Sequence, residues 1–246
     1  MKEKIALLLG SSGSVGFELL YTLLNHSAYR KVVVYVRRPF DQSKISSSTK
    51  LIQKMVPEMM PSTLSQAVTE TLAAFSTHDQ ELEFMAFSAL GVGAKTAELT
   101  IDQHRAIDVD LNRAFAQALQ HAPQVKSLTL LSAIGANPKA KTTGSGAAGM
   151  ARYARVKGEA EEAVKLHGPK TVSIFRPAMI RGSQHTPKIL DMAAPIFDCL
   201  IPKKYHSIST QQLALAMVAA SLNHQDSSEI YTYPEMLELI RQQSRV

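Results

Sequence analysis

A tyrosine and a lysine lie four residues apart in the stretch "YARVK", at Tyr153 and Lys157. This spacing puts two side chains on the same face of a helix. An ammonium group beside a phenol stabilises the phenolate, so the tyrosine can give or take a proton near neutral pH. The pair predicts a general acid–base site, although the same spacing also arises by chance on helices.

Three glycines spaced three apart follow an apolar run in "LLLGSSGSVG" (7–16), and an amphipathic helical pattern follows them. A helix N-terminus presents unpaired N–H groups and the positive end of a dipole, which suits a pyrophosphate where no side chain blocks the backbone. The spacing G-x-x-G-x-x-G differs by one residue from the dinucleotide fingerprint G-x-G-x-x-G. We therefore expect a phosphate-binding loop rather than a plain turn. The predicted loop residues are Gly10, Ser11, Ser12, Gly13, Ser14, Val15 and Gly16.

Two arginines, Arg37 and Arg38, end the second predicted strand in "YVRRP". In dinucleotide-binding folds an acidic residue near this place binds the ribose hydroxyls of NAD, whereas an arginine accommodates the 2′-phosphate of NADP. No Asp or Glu occurs at this strand end. Arginine offers a permanently charged fork of donors that suits a phosphate. The alternative is an ordinary solvated pair, but the position predicts NADP(H) as the cofactor.

Strand and helix patterns alternate along most of the chain, as a parallel sheet covered on both faces requires. Strand patterns occur at 5–9, 31–36, 82–90, 127–135 and 171–175, with a further short strand near 50–56. Helical patterns occur at 15–26, 61–75, 101–122, 153–168, 209–223 and 233–243. We predict an α/β fold with a doubly wound, Rossmann-like parallel sheet in a single domain over 1–246. The cofactor-binding core is expected over about 1–180, and a small C-terminal substrate lobe with helices over 181–246.

The composition excludes several classes of protein. Of the 246 residues 45% are hydrophobic, which is enough for a sizeable core. The net charge of +6 comes from scattered basic residues rather than from a basic run interleaved with aromatics, so no nucleic-acid binding is expected. No apolar run approaches the roughly 20 residues of a membrane span. A single cysteine, Cys199, cannot form an internal disulfide, and a cytoplasmic location is expected.

Six motifs in a fixed order resemble the atypical branch of the short-chain dehydrogenase/reductase superfamily, which includes the NmrA-like proteins and the Tat-interacting-protein oxidoreductases. The motifs are "GSSGSVG", "RRP", "SALG", "LLSAIGA", "YARVKGEAE" and "FRPAMI", within residues 5–180. The resemblance implies that Tyr153 is the general acid–base and that Lys157 tunes it and binds the cofactor ribose. It implies that Ser132 orients a substrate carbonyl. It also implies that the adenosine side is lined by Ala89, Leu90 and Gly91, and the nicotinamide side by Pro177, Ala178 and Met179.

Some assignments stay open at this stage. Ser145, in the long loop before Tyr153, is an alternative to Ser132. The asparagine that many members of the superfamily carry on the preceding helix has Asp110 and Asn112 as its nearest candidates, and neither is assigned.

Other polar residues are given ordinary roles. His104 and His121 are expected at a surface or helix end, and Cys199 as an inert buried thiol. The glutamates after the Tyr–Lys pair, Glu159, Glu161 and Glu162, are expected on a solvated face. No metal site is expected.

These features together predict an NADPH-dependent oxidoreductase that transfers hydride to a carbonyl of a small apolar substrate. The alternative is a non-catalytic NADP(H)-binding regulatory or redox-sensing protein. The expected partners are a small-molecule substrate and, for the regulator, a protein; no nucleic acid and no membrane are expected. The chain is expected to be a monomer or a homodimer.

Overall fold

The structure is a computed structural model, and it describes residues 2–40, 49–76, 82–93, 98–142, 148–183, 198, 201–223 and 228–243. The strands are β1 (Lys4–Leu9), β2 (Tyr29–Val36), β3 (Leu51–Met55), β4 (Glu83–Ser88), β5 (Val125–Leu131), β6 (Val172–Phe175), β7 (Met179–Arg181), β8 (Ser207–Ser209) and β9 (Glu229–Tyr231). The helices are α1 (Ser14–Asn25), α2 (Pro61–Ser76), α3 (Ile101–Arg105), α4 (Leu111–Gln120), α5 (Ala148–His167), α6 (Thr210–Leu222) and α7 (Tyr233–Gln243).

The central sheet of the described chain has seven parallel strands in the order β3-β2-β1-β4-β5-β6-β9. Its strands are continuous apolar runs because both faces are covered. On β1, Ala6 and Leu8 pack towards α1 and α6, whereas Leu7 and Leu9 pack towards α2 and α4. This arrangement confirms the predicted doubly wound α/β fold.

The long helix predicted over 101–122 is present, but one π-helical turn (Ala106–Asp110) interrupts it between α3 and α4. A capping box starts α3, in which the Thr100 hydroxyl accepts from the Gln103 amide and the Gln103 side chain accepts from the Thr100 amide. Turns of this wider kind occur mostly within helices and often at functional sites. The apolar periodicity of the sequence does not reveal the interruption, because it changes the register by only one residue.

The C-terminal segment contributes to both the main layers and a small separate sheet. Helix α6 packs with α1 in the core on one face of the central sheet, and β9 pairs with β6 at its edge. Strands β7 and β8 form a two-stranded parallel sheet of their own. Strands β7, β8 and β9 have three residues each, which is too short to leave a recognisable pattern in the sequence. Residues 184–197, assigned to the substrate lobe, lie outside the described residues.

Within the described chain, no helix combines the length and apolar character that crossing a bilayer would require.

Candidate functional site

The glycine loop is built by close backbone approaches at two of its three glycines. Gly10 has a φ of +86°, and a Cβ there would lie 2.4 Å from the Leu90 amide nitrogen. A Cβ on Gly16 would lie 2.0 Å from the Gly10 carbonyl oxygen. Side chains at both positions are therefore excluded, because backbone atoms cannot give way.

Gly13 differs from its two neighbours because a Cβ there would meet nothing closer than the Gly10 oxygen at 3.7 Å. It is the N-cap of α1, makes no side-chain cap, and the first turn of the helix contains no acidic residue. The helix end therefore presents backbone donors without a side chain to satisfy or screen them. Beside it the Ser11 hydroxyl is buried and has no hydrogen-bond partner among the described residues. These features fit a phosphate group.

The carboxyl ends of the central strands bring the remaining predicted cofactor residues to the same edge. The register places Leu9 beside Ser88 and Leu131 beside Phe175. The backbones after β5 and β6 continue together, because the Ile134 amide donates to the Pro177 carbonyl at 2.9 Å. The residues that follow β4 and β6, predicted to line the cofactor, are Ala89, Leu90, Gly91, Pro177, Ala178 and Met179.

Arg37 and Arg38 directly follow β2 and are both exposed. Strand β2 neighbours β1, so the arginines lie at the strand end next to the glycine loop. Exposed arginines at this place are free to take a phosphate without disturbing the core.

Tyr153 and Lys157 share one face of α5, as the spacing predicts. The Lys157 ammonium lies 5.9 Å from the centre of the Tyr153 ring. Lys157 is only 6% exposed, whereas Tyr153 is half-buried. A cation is therefore held near the ring of a tyrosine that is not fully buried.

Sequence reasoning missed the residue that holds Lys157. Asp108, in the π-helical turn, is fully buried, and its Oδ1 lies 2.7 Å from the Lys157 Nζ. Its other oxygen accepts a hydrogen bond of 3.0 Å from the Val92 amide, in the loop after β4. A separation of 49 residues between Asp108 and Lys157 carries no signal; only the topology brings the two residues together.

The pair stays ionised at neutral pH. Burial opposes the ionised form of Asp108, but the charge of Lys157 and contacts with His104 and Lys157 outweigh it and hold the pKa at about 2. Burial also opposes the charge on Lys157, but the Asp108 carboxylate raises the lysine pKa above its ordinary value. Each charge therefore maintains the other.

His104 completes this group. It lies in the last turn of α3, at a helix end as expected, but the surface alternative is wrong. The residue is fully buried because α3 turns it inward, towards α5. Its Nε2 lies 3.5 Å from Asp108 Oδ2, and its ring is nearly parallel to that of Tyr153, with 6.1 Å between centroids. We call His104, Asp108, Tyr153 and Lys157 the lysine cluster.

A second buried polar group lies one turn along α5. Ser132 Oγ donates to Glu161 Oε1 at 2.5 Å, and the Arg176 guanidinium binds both oxygens of Glu161. We call Ser132, Glu161 and Arg176 the glutamate cluster. Glu161 is 3% exposed, so its predicted place on a solvated face is wrong. The signal was present, because Glu161 follows Lys157 by four residues and so shares its inward face.

The hydroxyl proton of Ser132 is already engaged in a hydrogen bond and is not available to a substrate. A hydroxyl has one proton, and an ionised carboxylate can only accept. Ser132 donates its proton to Glu161, so it would have to leave this partner to polarise a carbonyl. Its role towards substrate stays a prediction. The rival Ser145 lies outside the described residues, as does Cys199.

Asn112 and Asp110, the unassigned helix residues, have different places. The Asn112 amide donates to the Asp108 carbonyl at 2.7 Å and accepts from the Ser88 hydroxyl. It thus ties the π-helical turn to the end of β4. Asp110 is partly exposed and pairs with Arg113 at 3.3 Å.

The loop after β5 packs directly onto α5. A Cβ on Gly158 would lie 2.2 Å from the Pro138 nitrogen, and the Asn137 amide donates to the Ala154 carbonyl at 2.8 Å. The glycine that follows Lys157 is therefore a packing requirement that keeps this loop close to the helix.

Comparison with curated proteins finds two relatives. The chain is 30% identical over 184 residues to the protein FMP52-1, mitochondrial, of Scheffersomyces stipitis, which covers 74% of this chain and 70% of the relative. It is 26% identical over 201 residues to the protein fmp52, mitochondrial, of Emericella nidulans, covering 82% and 77%. No protein-family model matches the sequence.

Solved structures show the same fold. A short-chain dehydrogenase/reductase from Serratia marcescens superposes with a TM-score of 0.63 at 15% identity, over 96% of this chain and 98% of that one. ElxO with NADP bound superposes with a TM-score of 0.65 at 14% identity, over 94% of this chain and 97% of that one. The Bordetella bronchiseptica enzyme WbmH in complex with NAD+ superposes with a TM-score of 0.64 at 13% identity, over 94% of this chain and 76% of that one. The predicted resemblance to the short-chain dehydrogenase/reductases is thereby confirmed at the level of the fold.

The prediction of a cytoplasmic location is wrong, because both curated relatives are named as mitochondrial proteins. The physical reason is that a lone cysteine indicates only a compartment in which disulfides are not needed. This criterion does not distinguish the cytosol from other reducing compartments.

Proposed function

The chain belongs to the FMP52 family, and from the site described above we infer that it is an NADPH-dependent oxidoreductase that reduces a carbonyl group of a small apolar substrate. The observation that carries this inference is the lysine cluster, in which a half-buried phenol lies beside a buried ammonium at the carboxyl edge of a dinucleotide-binding sheet. Ligands of open parallel sheets bind at this edge.

The glycine loop supports a dinucleotide as the cofactor. Gly13 leaves open space at an uncapped helix N-terminus, and Ser11 offers an unpaired buried hydroxyl. The loop after β4 and the segment after β6 would border the adenosine and nicotinamide halves. The bound cofactor would supply the hydride.

The chain's own residues would manage the proton. Tyr153 would donate its phenolic proton to the carbonyl oxygen of the substrate. Lys157 would stabilise the phenolate that remains, since its charge is maintained by Asp108. The second role proposed for Lys157 is a hydrogen bond to the cofactor ribose, because an ammonium has three donors.

Exposed Arg37 and Arg38, with no acidic residue at the end of β2, support NADPH over NADH. Among structures of similar fold, ElxO holds NADP and WbmH holds NAD+, so the fold itself is compatible with both. The proposed preference therefore rests on the two arginines. The apolar sequence 188–202 supports an apolar substrate.

The second candidate is a non-catalytic NADP(H)-binding regulatory protein. The hydrogen bond from Ser132 to Glu161 favours it, because this bond occupies the hydroxyl that would orient a substrate carbonyl. The intact Tyr153 and Lys157 pair favours the enzyme.

Titration with NADPH and with NADH, followed by nicotinamide fluorescence, tests the proposed cofactor. We expect NADPH to bind more tightly, and R37A/R38A to remove the preference while unfolding as the wild type does. The matched control is R241A, an exposed arginine on α7. G13A should weaken both cofactors, because its methyl group occupies the open space beside the helix N-terminus. Its cost in stability should stay within about 1 kcal/mol, which is the cost of a poorer N-cap. Binding of neither cofactor to the wild type would contradict the proposal.

A panel of apolar aldehydes and ketones then separates the two candidates. NADPH oxidation with any of them, lost in Y153F, supports the enzyme. Tight NADPH binding without oxidation across the panel supports the regulator.

A further inference from the structure

The π-helical turn places Asp108 between two elements that border the cofactor edge. The backbone of Asp108 is fixed by Asn112, whose side chain donates to the Asp108 carbonyl and accepts from the Ser88 hydroxyl at the end of β4. The side chain is fixed by two contacts from different elements, Lys157 on α5 and the Val92 amide in the loop after β4. Asp108 therefore links α5 to that loop through a single carboxylate.

Gly91 shows how closely the parts fit. A Cβ at this position would lie 2.8 Å from Lys157 Nζ and 3.0 Å from Asp108 Oδ1. The backbone of the loop after β4 thus lies against the ion pair itself. The loop backbone, the Asp108 carboxylate and the Lys157 ammonium are in mutual contact, so a shift of one would displace the other two.

The groups around Lys157 leave Asp108 as its principal counterion. Tyr153 and Glu161 lie one turn away on α5, and His104 approaches from α3. Glu161 is engaged by Arg176 and Ser132. Only Asp108 is in direct ionic contact with the Lys157 ammonium among the described residues.

We propose that Asp108 is a positioning residue of this site, whose carboxylate holds the Lys157 ammonium where it can bind the ribose next to the nicotinamide and, by accepting from the Val92 amide, fixes the loop after β4 beside it. This inference rests on the proposed cofactor. It goes beyond the predicted residue set, in which no carboxylate has a role. A buried ion pair that served only stability would not need to be in contact with the loop that lines the cofactor.

The test is the NADPH dissociation constant of D108N and D108E at about pH 7 and about pH 9.5. In D108N the lysine loses its counterion, and burial then favours the neutral amine. We expect the dissociation constant of D108N to rise about tenfold between the two pH values. In the wild type it should change little over the same range. The dependence should disappear in D108N/K157M, which lacks the titrating amine.

D108E keeps the charge but moves it by one methylene, so it remains informative if D108N does not fold. We expect D108E to bind NADPH about fivefold more weakly at both pH values, without the alkaline loss. The matched controls are D110N and D110E, because Asp110 belongs to the same turn and pairs only at the surface with Arg113. Both should behave as the wild type, and circular dichroism and thermal unfolding establish which variants are folded.

The outcomes distinguish this inference from the proposed function. A wild type that binds no nicotinamide dinucleotide contradicts both. A wild type that binds NADPH, together with folded Asp108 variants that match the Asp110 controls at both pH values, contradicts the positioning role alone.

Discussion

The inward face of α5 carries two buried polar clusters that differ in how completely their groups are satisfied. In the glutamate cluster, Glu161 accepts from Ser132 and from two nitrogens of Arg176. In the lysine cluster, Lys157 has one ionic partner among the described residues. Within the same part of the chain, His104 Nδ1 has no hydrogen-bond partner, and His104 Nε2 approaches only Asp108 Oδ2, at 3.5 Å. The two clusters are one helical turn apart.

The glutamate cluster has its polar atoms paired within the protein, whereas the lysine cluster has polar atoms that could still bind a ligand. A fully satisfied buried network stabilises the fold and gains nothing from a ligand. Buried donors and acceptors without partners cost free energy unless something binds them. We therefore propose the lysine cluster as the place for chemistry, and the glutamate cluster as the support that fixes β5, β6 and α5 relative to one another.

The largest expected effect comes from removing the phenolic hydroxyl of the lysine cluster. Y153F should lower turnover of a carbonyl substrate by about 10²- to 10⁴-fold, because the proton donor is lost. NADPH affinity should stay unchanged. Steady-state kinetics and fluorescence titration measure the two quantities, with Y21F, an exposed tyrosine on α1, as the control. Equal activity of Y153F and Y21F would remove Tyr153 from the chemistry.

In the glutamate cluster the largest effect should be on stability. E161A leaves the Arg176 guanidinium without its carboxylate, which should lower the free energy of unfolding by about 3 kcal/mol. Urea unfolding measures this change, and E162A, the exposed neighbour on the same helix, should stay within about 0.5 kcal/mol of the wild type. If E161A were as stable as E162A, the two clusters would not differ in the way described.

Ser132 gives the sharpest test of the boundary between the clusters. S132A removes a hydrogen bond to a charged group and should cost about 1.5–3 kcal/mol of unfolding free energy. If Ser132 belongs only to the glutamate cluster, kcat should change less than about tenfold. A decrease in kcat near that of Y153F would instead assign its hydroxyl to substrate, as the sequence predicts.

The acid dependence of stability should report on the lysine cluster. The folded pKa of Asp108 is about 2, against an ordinary value of 3.8, so its stabilisation is fully present above about pH 4. It is lost as the pH falls from about 4 to about 2, because the unfolded chain binds the proton first. This loss should be about 2 kcal/mol in the wild type and absent in D108N. Urea unfolding at both pH values measures it, and an equal loss in D108N would exclude Asp108 as its source.

Local patterns predicted the fold and the helix face that Tyr153 and Lys157 share. Continuous apolar runs and crossover helices specify a parallel doubly wound sheet, and the glycine spacing marks the loop between β1 and α1. The shared face of Tyr153 and Lys157 is predictable because side chains four residues apart lie on the same side of a helix.

The missed residues depend on long-range packing. Asp108 reaches Lys157 only because α3, the π-helical turn and α5 are adjacent in space. Glu161 carries a charge that favours solvent, and the guanidinium of Arg176, the residue after β6, compensates for its burial. Spacing within one segment indicates the helix face that Glu161 shares with Lys157, but it contains no information on partners from other segments.

The two arginines after β2 have a consequence for how this protein could change. They are exposed and lie beyond the last buried residue of the strand, so no core side chain depends on them. In the proposed function the preference for NADP over NAD depends on these two residues, so it can change by surface substitution without lowering stability, whereas Gly10 and Gly16 can hardly vary at all.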